Sequence, residues 1–132
     1  YKKRDDLRIN RELLNVDINT PKNLEFKVKL NPIDMIIVLD NLISNSSKHG
    51  ASKVELTWAK TNEGIQLLFK DDGKGIKDNI IENIFDFGFT TSRHGSGIGL
   101  YHVKEIIEKL NGKITVNNKI SKGVEFDILF KS

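Results

Sequence analysis

The chain has 132 residues, of which 38% are hydrophobic and 30% charged, with no cysteine and a formal net charge of +3. This length and composition predict one globular domain, and they exclude a disordered chain, a disulfide scaffold and a thiolate metal site. No apolar run reaches the length of a membrane span, and the basic residues are not clustered as in nucleic-acid-binding proteins. We therefore expect a cytoplasmic domain with no nucleic-acid partner and no membrane contact of its own, whether or not its parent protein is membrane-anchored.

The beginning of the chain is charged and weakly patterned. We expect residues 1–12 to be a linker or the end of an upstream helix, and residues 13–132 to form the folded domain. The sequence opens with Tyr1 rather than Met, so we expect a fragment of a longer protein.

The rest of the chain mixes strand and helix patterns. Strands are predicted at residues 13–18, 24–30, 53–58, 65–70, 114–117 and 124–130. Helices are predicted at residues 31–50, 79–85 and 98–110. This order indicates an α+β fold, a two-layer α/β sandwich in which a mixed sheet of about five strands is covered on one face by about three helices.

The first predicted helix carries a polar stripe. Asn31 and the proline after it form a typical helix start, and the apolar run 33–39 predicts a helix buried on most sides. Asn41, Asn45 and Lys48 follow at i, i+4 and i+7 and share one face. Two interpretations are open from these residues alone. One is a hydrogen-bonded pair of core amides with a solvated lysine; the other is a site for a hard cation and a phosphate.

A glycine-containing segment, 71–76, follows directly on a predicted strand. Its glycines allow a close backbone approach to a ligand, and Asp71 can accept hydrogen bonds. The same pattern is also typical of a plain turn. A calcium loop is excluded because Gly73 and Gly75 stand where oxygen ligands are needed.

A second glycine cluster, 95–100, leads straight into a predicted helix. Free backbone N–H groups at a helix N-terminus favour an anion such as phosphate. The glycine spacing differs from the dinucleotide-binding fingerprint, and no P-loop sequence occurs in the chain.

Taken together, these segments resemble the ATP-binding domain shared by sensor histidine kinases, gyrase-type topoisomerases, mismatch-repair ATPases and heat-shock chaperones, the GHKL family with its Bergerat-type fold. The resemblance covers about residues 13–131. Residues 41–48 match the N box, 71–76 the first glycine box, 84–91 the F box and 95–100 the second glycine box. Gly123 to Phe126 resemble the closing motif on a late strand.

The resemblance implies roles at the phosphate end of an ATP site. Asn45 matches the ligand of the Mg²⁺ that bridges the phosphates, and Asn41 lies beside it as a further candidate ligand. Lys48 matches the lysine that contacts phosphate. Asn41, Asn45 and Lys48 are therefore the candidate catalytic residues.

The resemblance also implies roles at the nucleoside end. Asp71 matches the carboxylate that accepts a hydrogen bond from the adenine amino group, and Gly73 and Gly75 keep that pocket open. His49 stands where kinases commonly carry an aromatic residue near the nucleoside. Val124 replaces a frequent hydroxyl residue of the closing motif, which removes a side-chain donor from that strand.

The segment 86–97 matches the lid that closes over ATP. Gly97 and Gly99 match backbone donors to the phosphates, and Arg93 matches a lid cation. The resemblance places further motif positions in the ATP site: Ile76, Thr90, Thr91, Gly95, Ile98 and Leu100.

The residue at position 41 bears on whether the domain hydrolyses ATP or transfers its phosphoryl group. In the hydrolysing branches of the family this position is typically a Glu that activates water, and an Asn cannot act as a base. The resemblance therefore implies the catalytic domain of a sensor histidine kinase, which transfers the γ-phosphoryl group of Mg-ATP to a histidine. That histidine is expected on an upstream helical dimerisation domain, with a response regulator as the downstream partner.

Two other functions use the same pocket and remain alternatives. One is an ATP-gated conformational module in a protein that is not a kinase. The other is a serine kinase of the anti-sigma type. A helical segment upstream with a His followed by an acidic residue would favour the histidine kinase.

Overall fold

The computed structural model describes residues 4–9, 12–19, 31–89, 99–120 and 122–131. Within these ranges it contains six strands, two α-helices and one short 3₁₀ turn. The strands are β1 (Arg4–Ile9), β2 (Glu12–Asn19), β3 (Lys53–Lys60), β4 (Gly64–Asp71), β5 (Gly112–Asn117) and β6 (Glu125–Lys131). The helices are α1 (Pro32–Lys48) and α2 (Gly99–Lys109).

The six strands form one mixed sheet in the order β1-β2-β3-β4-β6-β5. Only β2 and β3 are parallel among these neighbouring pairs, and the other four pairs are antiparallel. The fold class predicted from the sequence, a two-layer sandwich with a mixed sheet, is confirmed.

Three details of the prediction need correction. Residues 4–9 are a strand, β1, which pairs with β2, and they are neither a linker nor a helix end. The helix predicted at 79–85 is reduced to a 3₁₀ turn, Ile81–Asn83, so the described residues hold two α-helices rather than three. The strand predicted at 24–30 lies outside the described residues.

One face of the sheet is apolar and the other is polar. Alternation along β4 and β6 turns Leu67, Phe69, Phe126, Ile128 and Phe130 inward, and all five are fully buried. On the opposite face the Gln66 amide donates to both oxygens of Asp127 at 3.0 and 3.1 Å. The two described helices therefore cover the apolar face of the sheet, and the opposite face carries half-buried side chains such as Gln66 and Asp127.

The first helix begins as its sequence predicts. The Asn31 side chain accepts a 2.9 Å hydrogen bond from the backbone N–H of Ile33, and Pro32 occupies the first helical position. The expectation that this helix is buried on most sides is wrong for its first turns, because Ile33 and Ile36 are 66% and 65% exposed. The fully buried Val38 and Leu42 mark the face that packs on the sheet.

The two helices run antiparallel. Lys109 in the last turn of α2 lies 3.3 Å from the Asp34 carboxylate in the first turn of α1. At the other end of α2, a Cβ placed on Gly99 would lie 3.4 Å from Oδ1 of Asn41. The N-terminus of α2 therefore faces the polar stripe in the second half of α1.

Candidate functional site

The site centres on the carboxylate of Asp71, the last residue of β4. The side chain is buried, with 3% of the residue exposed. Its Oδ1 accepts hydrogen bonds from the backbone N–H groups of Gly73, at 3.0 Å, and Val124, at 3.2 Å. Its Oδ2 accepts a 2.6 Å hydrogen bond from the Ser46 hydroxyl. Three donors therefore hold one buried carboxylate in a fixed orientation.

The donor count leaves one acceptor position on this carboxylate. An ionised carboxylate offers about four lone-pair positions, two on each oxygen. The two donors on Oδ1 fill that oxygen, while Ser46 is the one donor to Oδ2 among the described residues. Oδ2 can therefore accept one more hydrogen bond without losing a protein partner.

Ser46 was not among the site residues predicted from the sequence. This serine is fully buried on α1, one turn after Leu42 and on the same face. A serine among the apolar residues of a buried helix face is itself a signal, because a buried hydroxyl needs a hydrogen-bond partner. The signal did not identify that partner, which lies 25 residues further along the chain.

Val124 contributes through its backbone. Its side chain is buried in the core, its N–H donates to Asp71 Oδ1, and its carbonyl accepts a 3.0 Å hydrogen bond from the Asp71 N–H. The absence of a hydroxyl at this position therefore does not leave the strand without a donor to the carboxylate.

Glycine at position 123 is required by this close packing. Gly123 has φ +85°, and a Cβ on it would lie 1.9 Å from the Asp71 carbonyl oxygen and 2.8 Å from Asp71 Oδ1. Any side chain here would push the connection between β5 and β6 away from Asp71. Gly75 also lies close to this connection, because its Cβ would lie 2.9 Å from the Gly123 carbonyl oxygen.

The loop after Asp71 is fixed to the connection between α1 and β3. Asp72 accepts hydrogen bonds from the Ser52 N–H at 2.8 Å, the Ser52 hydroxyl at 2.9 Å and the Lys53 N–H at 3.0 Å. Partial desolvation acts to raise the pKa of Asp72, but these hydrogen bonds outweigh it and lower the pKa below its usual value. The Lys74 N–H adds a 3.0 Å bond to the His49 carbonyl.

His49 stands between the helix and this loop. Its backbone N–H closes the C-terminus of α1 by donating to the Asn45 and Ser46 carbonyls, each at 3.2 Å. Burial lowers the pKa of the His49 side chain; the charges of Lys74 and Lys48 act in the same direction, and Asp71 opposes them. The imidazole is therefore neutral near pH 7.

The polar stripe on α1 leads from Asp71 toward α2. Asn41 and Asn45 are half-buried and Lys48 is exposed. No side chain within the described ranges hydrogen-bonds either amide, so the interpretation as a mutually bonded core pair has no support there. The Asn41 oxygen lies beside Gly99, the first residue of α2.

Part of the predicted site falls outside the described residues: Thr90, Thr91, Arg93, Gly95, Gly97 and Ile98. Gly99 and Leu100 are the first two residues of α2 and are half-buried.

The described part of the F box, residues 84–89, contacts both the sheet and α2. Phe85 packs edge-on against Phe126 with ring centroids 6.2 Å apart, and the Lys104 ammonium lies 5.7 Å from the Phe85 ring centre. Phe87 is 73% exposed and packs edge-on against Tyr101 at 5.1 Å. The residues before and after the undescribed segment 90–98 are therefore in contact.

Among the described residues there is no group of three or more His, Asp or Glu side chains arranged to hold a metal ion. A Mg²⁺ ion at this site would depend on amide oxygen and on ligand phosphates. No helix in the described part of the chain is long and apolar enough to cross a membrane.

Comparison with known proteins agrees with this arrangement. Residues 30–132 match the family of histidine kinase-, DNA gyrase B-, and HSP90-like ATPases. A probable C4-dicarboxylate sensor kinase of Bacillus subtilis (strain 168) is 31% identical over 133 residues, covering 94% of this chain and 25% of that protein. Sensor protein PhoQ of Escherichia coli (strain K12) is 30% identical over 122 residues, covering 91% of this chain and 25% of PhoQ. The chain thus spans about a quarter of the length of these curated relatives.

Solved structures give the same fold. The catalytic domain of histidine kinase ThkA superposes with a TM-score of 0.74 at 26% identity, covering 88% of this chain and 78% of that one. The mycobacterial sensor histidine kinase MprB superposes with a TM-score of 0.75 at 20% identity, covering 88% and 82%. The chain therefore belongs to the histidine kinase-, DNA gyrase B- and HSP90-like ATPases, and it is an ATP-binding domain of the sensor histidine kinase type.

Proposed function

We propose that this domain binds Mg-ATP and transfers the γ-phosphoryl group to a histidine on a separate helical domain of its parent protein. The observation that carries the proposal is the remaining acceptor position on Oδ2 of Asp71. This buried carboxylate is held by Ser46, Gly73 and Val124, and it can still accept one hydrogen bond.

Such a group distinguishes adenine from guanine. Adenine carries an amino group at the position where guanine carries a carbonyl oxygen. A carboxylate accepts a hydrogen bond from the amino group, whereas it repels the carbonyl oxygen. Because three donors already fix Asp71, ATP binding does not have to order this side chain.

The phosphate end of the proposed site lies between α1 and α2. Asn45 lies on the turn of α1 before its C-terminal end, and the exposed Lys48 lies at that end. The N-terminus of α2 begins beside Asn41 and presents backbone N–H groups, a favourable environment for phosphate oxygens. The side-chain arrangement fits a Mg²⁺ ion with one protein ligand, the Asn45 oxygen, since Mg²⁺ commonly keeps several waters and binds substrate phosphates.

When bound, Mg²⁺ supplies charge neutralisation for the transferring phosphoryl group. Asn45 holds and orients that ion, and Lys48 adds a positive charge at the phosphates. Asn41 offers no proton acceptor to a water molecule, which favours transfer to a protein nucleophile over hydrolysis. In the transfer, the acceptor imidazole nitrogen forms the new bond to phosphorus, the bond to the bridging oxygen breaks, and ADP leaves.

The curated relatives support this reaction because they are named as sensor kinases. Within the proposal, the acceptor histidine lies on a helical dimerisation domain upstream of this chain, and a response regulator then receives the phosphoryl group. We also propose a cytoplasmic location for the domain, where ATP is available.

The test uses the full-length gene product with γ-labelled ATP and Mg²⁺. We expect acid-labile phosphate on the protein, lost when the upstream histidine is replaced by Gln and strongly reduced in Asp71→Asn. Tight ATP binding with no labelled protein would contradict the kinase function and favour a nucleotide-gated module. Acid-stable label on a hydroxyl would favour a serine kinase instead.

A further inference from the structure

The loop segment 72–78, which follows β4 and precedes the 3₁₀ turn, is held from two sides. On one side Asp72 binds the backbone of Ser52 and Lys53, as described above. On the other side lies the connection between β5 and β6, which contacts the loop through Asn118 and Lys119. This loop carries Gly73 and Gly75, which give it more conformational freedom than other residues would.

Asn118 makes the side-chain contact on the second side. Its Nδ2 donates a 2.7 Å hydrogen bond to the Ile76 carbonyl and another 2.7 Å hydrogen bond to Oδ1 of Asp78. Because a side-chain amide has two N–H donors, both are used here. The bond to the Ile76 carbonyl fixes the backbone one residue after Gly75, and Ile76 itself packs against the hydrophobic core.

The neighbouring Lys119 makes a contact of a different kind. Its ammonium lies 2.8 and 2.9 Å from the two oxygens of Asp78, but the two side chains are 72% and 69% exposed. Exposed ion pairs of this kind contribute little to stability. Lys119 bonds to a side chain, whereas half-buried Asn118 bonds to the loop backbone.

We infer that Asn118 is a positioning residue for the nucleoside end of the ATP site, acting through the Ile76 carbonyl. This inference rests on the proposed function, because it concerns how the adenine-side loop is held before ATP binds. In the absence of Asn118, the glycine-containing loop samples more conformations, and binding must then order it.

The test compares Asn118→Ala with Lys119→Met by calorimetric titration with ATP and with adenosine. Loss of Asn118 should raise the dissociation constants of both ligands by a similar factor, about five- to tenfold, which corresponds to one ordinary hydrogen bond. Lys119→Met should change adenosine binding less than about twofold. Asn118→Asp keeps the side-chain shape, removes both donors and sets a carboxylate against the Ile76 carbonyl and Asp78, so it should weaken adenosine binding at least as much as the alanine variant does.

A second measurement separates positioning from general destabilisation. Hydrogen exchange of the ligand-free domain should become faster at the amides of residues 75–78 in Asn118→Ala, and it should stay unchanged at the core strands β4 and β6. A purely structural residue would accelerate exchange in the core as well.

Three outcomes would overturn the inference. Equal adenosine affinity in wild type and Asn118→Ala would overturn it and leave the proposed function intact. A loss confined to ATP, with adenosine unaffected, would assign Asn118 to the phosphate end instead. If the wild-type chain binds neither ligand, the proposed function fails and this inference fails with it.

Discussion

The Ser46 hydroxyl donates a 2.6 Å hydrogen bond to Oδ2 of Asp71, which joins the last turn of α1 to the end of the central strand β4. Both residues are buried, with 0% and 3% exposure. The contact places the helix that carries Asn41, Asn45 and Lys48 at a fixed distance from the proposed adenine acceptor. The two ends of the proposed ATP site are therefore linked through one hydrogen bond.

Replacement of Ser46 by Ala tests this link. The variant should lose about 1–2 kcal/mol of unfolding free energy, since it removes a hydrogen bond between a buried hydroxyl and a carboxylate. It should also weaken ATP binding, because Asp71 loses one of its three orienting donors, the one that binds Oδ2. Chemical denaturation and ATP titration measure the two effects. Ser47→Ala, at the adjacent position on α1, is the control and should stay within about 0.5 kcal/mol of wild type; similar losses in both variants would argue against a special role for Ser46.

Gly123→Ala tests the close approach of the β5–β6 connection to Asp71. The new Cβ would overlap the Asp71 carbonyl oxygen, so the connection must move, and both stability and ATP affinity should fall sharply. Gly88→Ala is a matched control for stability, because Gly88 has a similar φ of +81° and open space around its Cβ position. The control should cost only the backbone term of about 1–2 kcal/mol. If thermal denaturation finds Gly123→Ala no worse than Gly88→Ala, the close packing around Asp71 is wrong.

The neutral state of His49 predicts a pH dependence. Burial lowers the pKa of His49 in the folded protein below 6.5, its ordinary value. As the pH falls through 6.5, His49 takes up a proton in the unfolded chain before it does so in the folded protein. Proton uptake therefore favours the unfolded state, and the free energy of unfolding falls until the pH reaches the folded pKa. In wild type, the free energy of unfolding should therefore fall between about pH 7.5 and pH 5.5, a range that brackets the ordinary histidine pKa. In His49→Gln this fall should be smaller. A profile that is the same in wild type and His49→Gln would show that His49 does not contribute to the acid sensitivity of the fold.

Asn45→Ala separates metal binding from nucleotide binding. With Mg²⁺ present, the variant should bind ATP more weakly than wild type, because the ion loses its protein ligand. With a chelator in place of Mg²⁺, the two proteins should bind ATP almost equally. Equal losses under both conditions would contradict the assignment of Asn45 as a metal ligand.

The sequence predicted the parts of the fold that depend on local pattern. The start of α1 follows from Asn31 and Pro32, and the buried strands follow from apolar alternation such as that of Leu67 and Phe69. The predicted 79–85 helix shortened to a single turn, and β1 was missed. Residues 4–9 are charged and lack a clear alternation, and their strand character comes from backbone pairing with β2, which a local pattern does not reveal.

The candidate site, like the fold, was predictable where its residues are neighbours in the chain and not where they are distant. The motif around Asp71 was evident because its residues are adjacent in the chain. Its partners were not: the bonds from Ser46, Asn118 and Val124 span 25, 42 and 53 residues. Two of these three bonds also end on or start from a backbone group, and no side-chain pattern in a sequence encodes such a contact.

The most direct test of the central claim is a titration of the chain with Mg-ATP and Mg-GTP, performed on wild type and Asp71→Asn. The wild-type protein should prefer ATP by about ten- to a hundredfold, the value of one hydrogen bond to a charged acceptor. The variant should keep its circular dichroism spectrum and lose most of that preference. An unchanged preference in Asp71→Asn, or equal binding of both nucleotides by wild type, would contradict the role of Asp71 as the adenine acceptor.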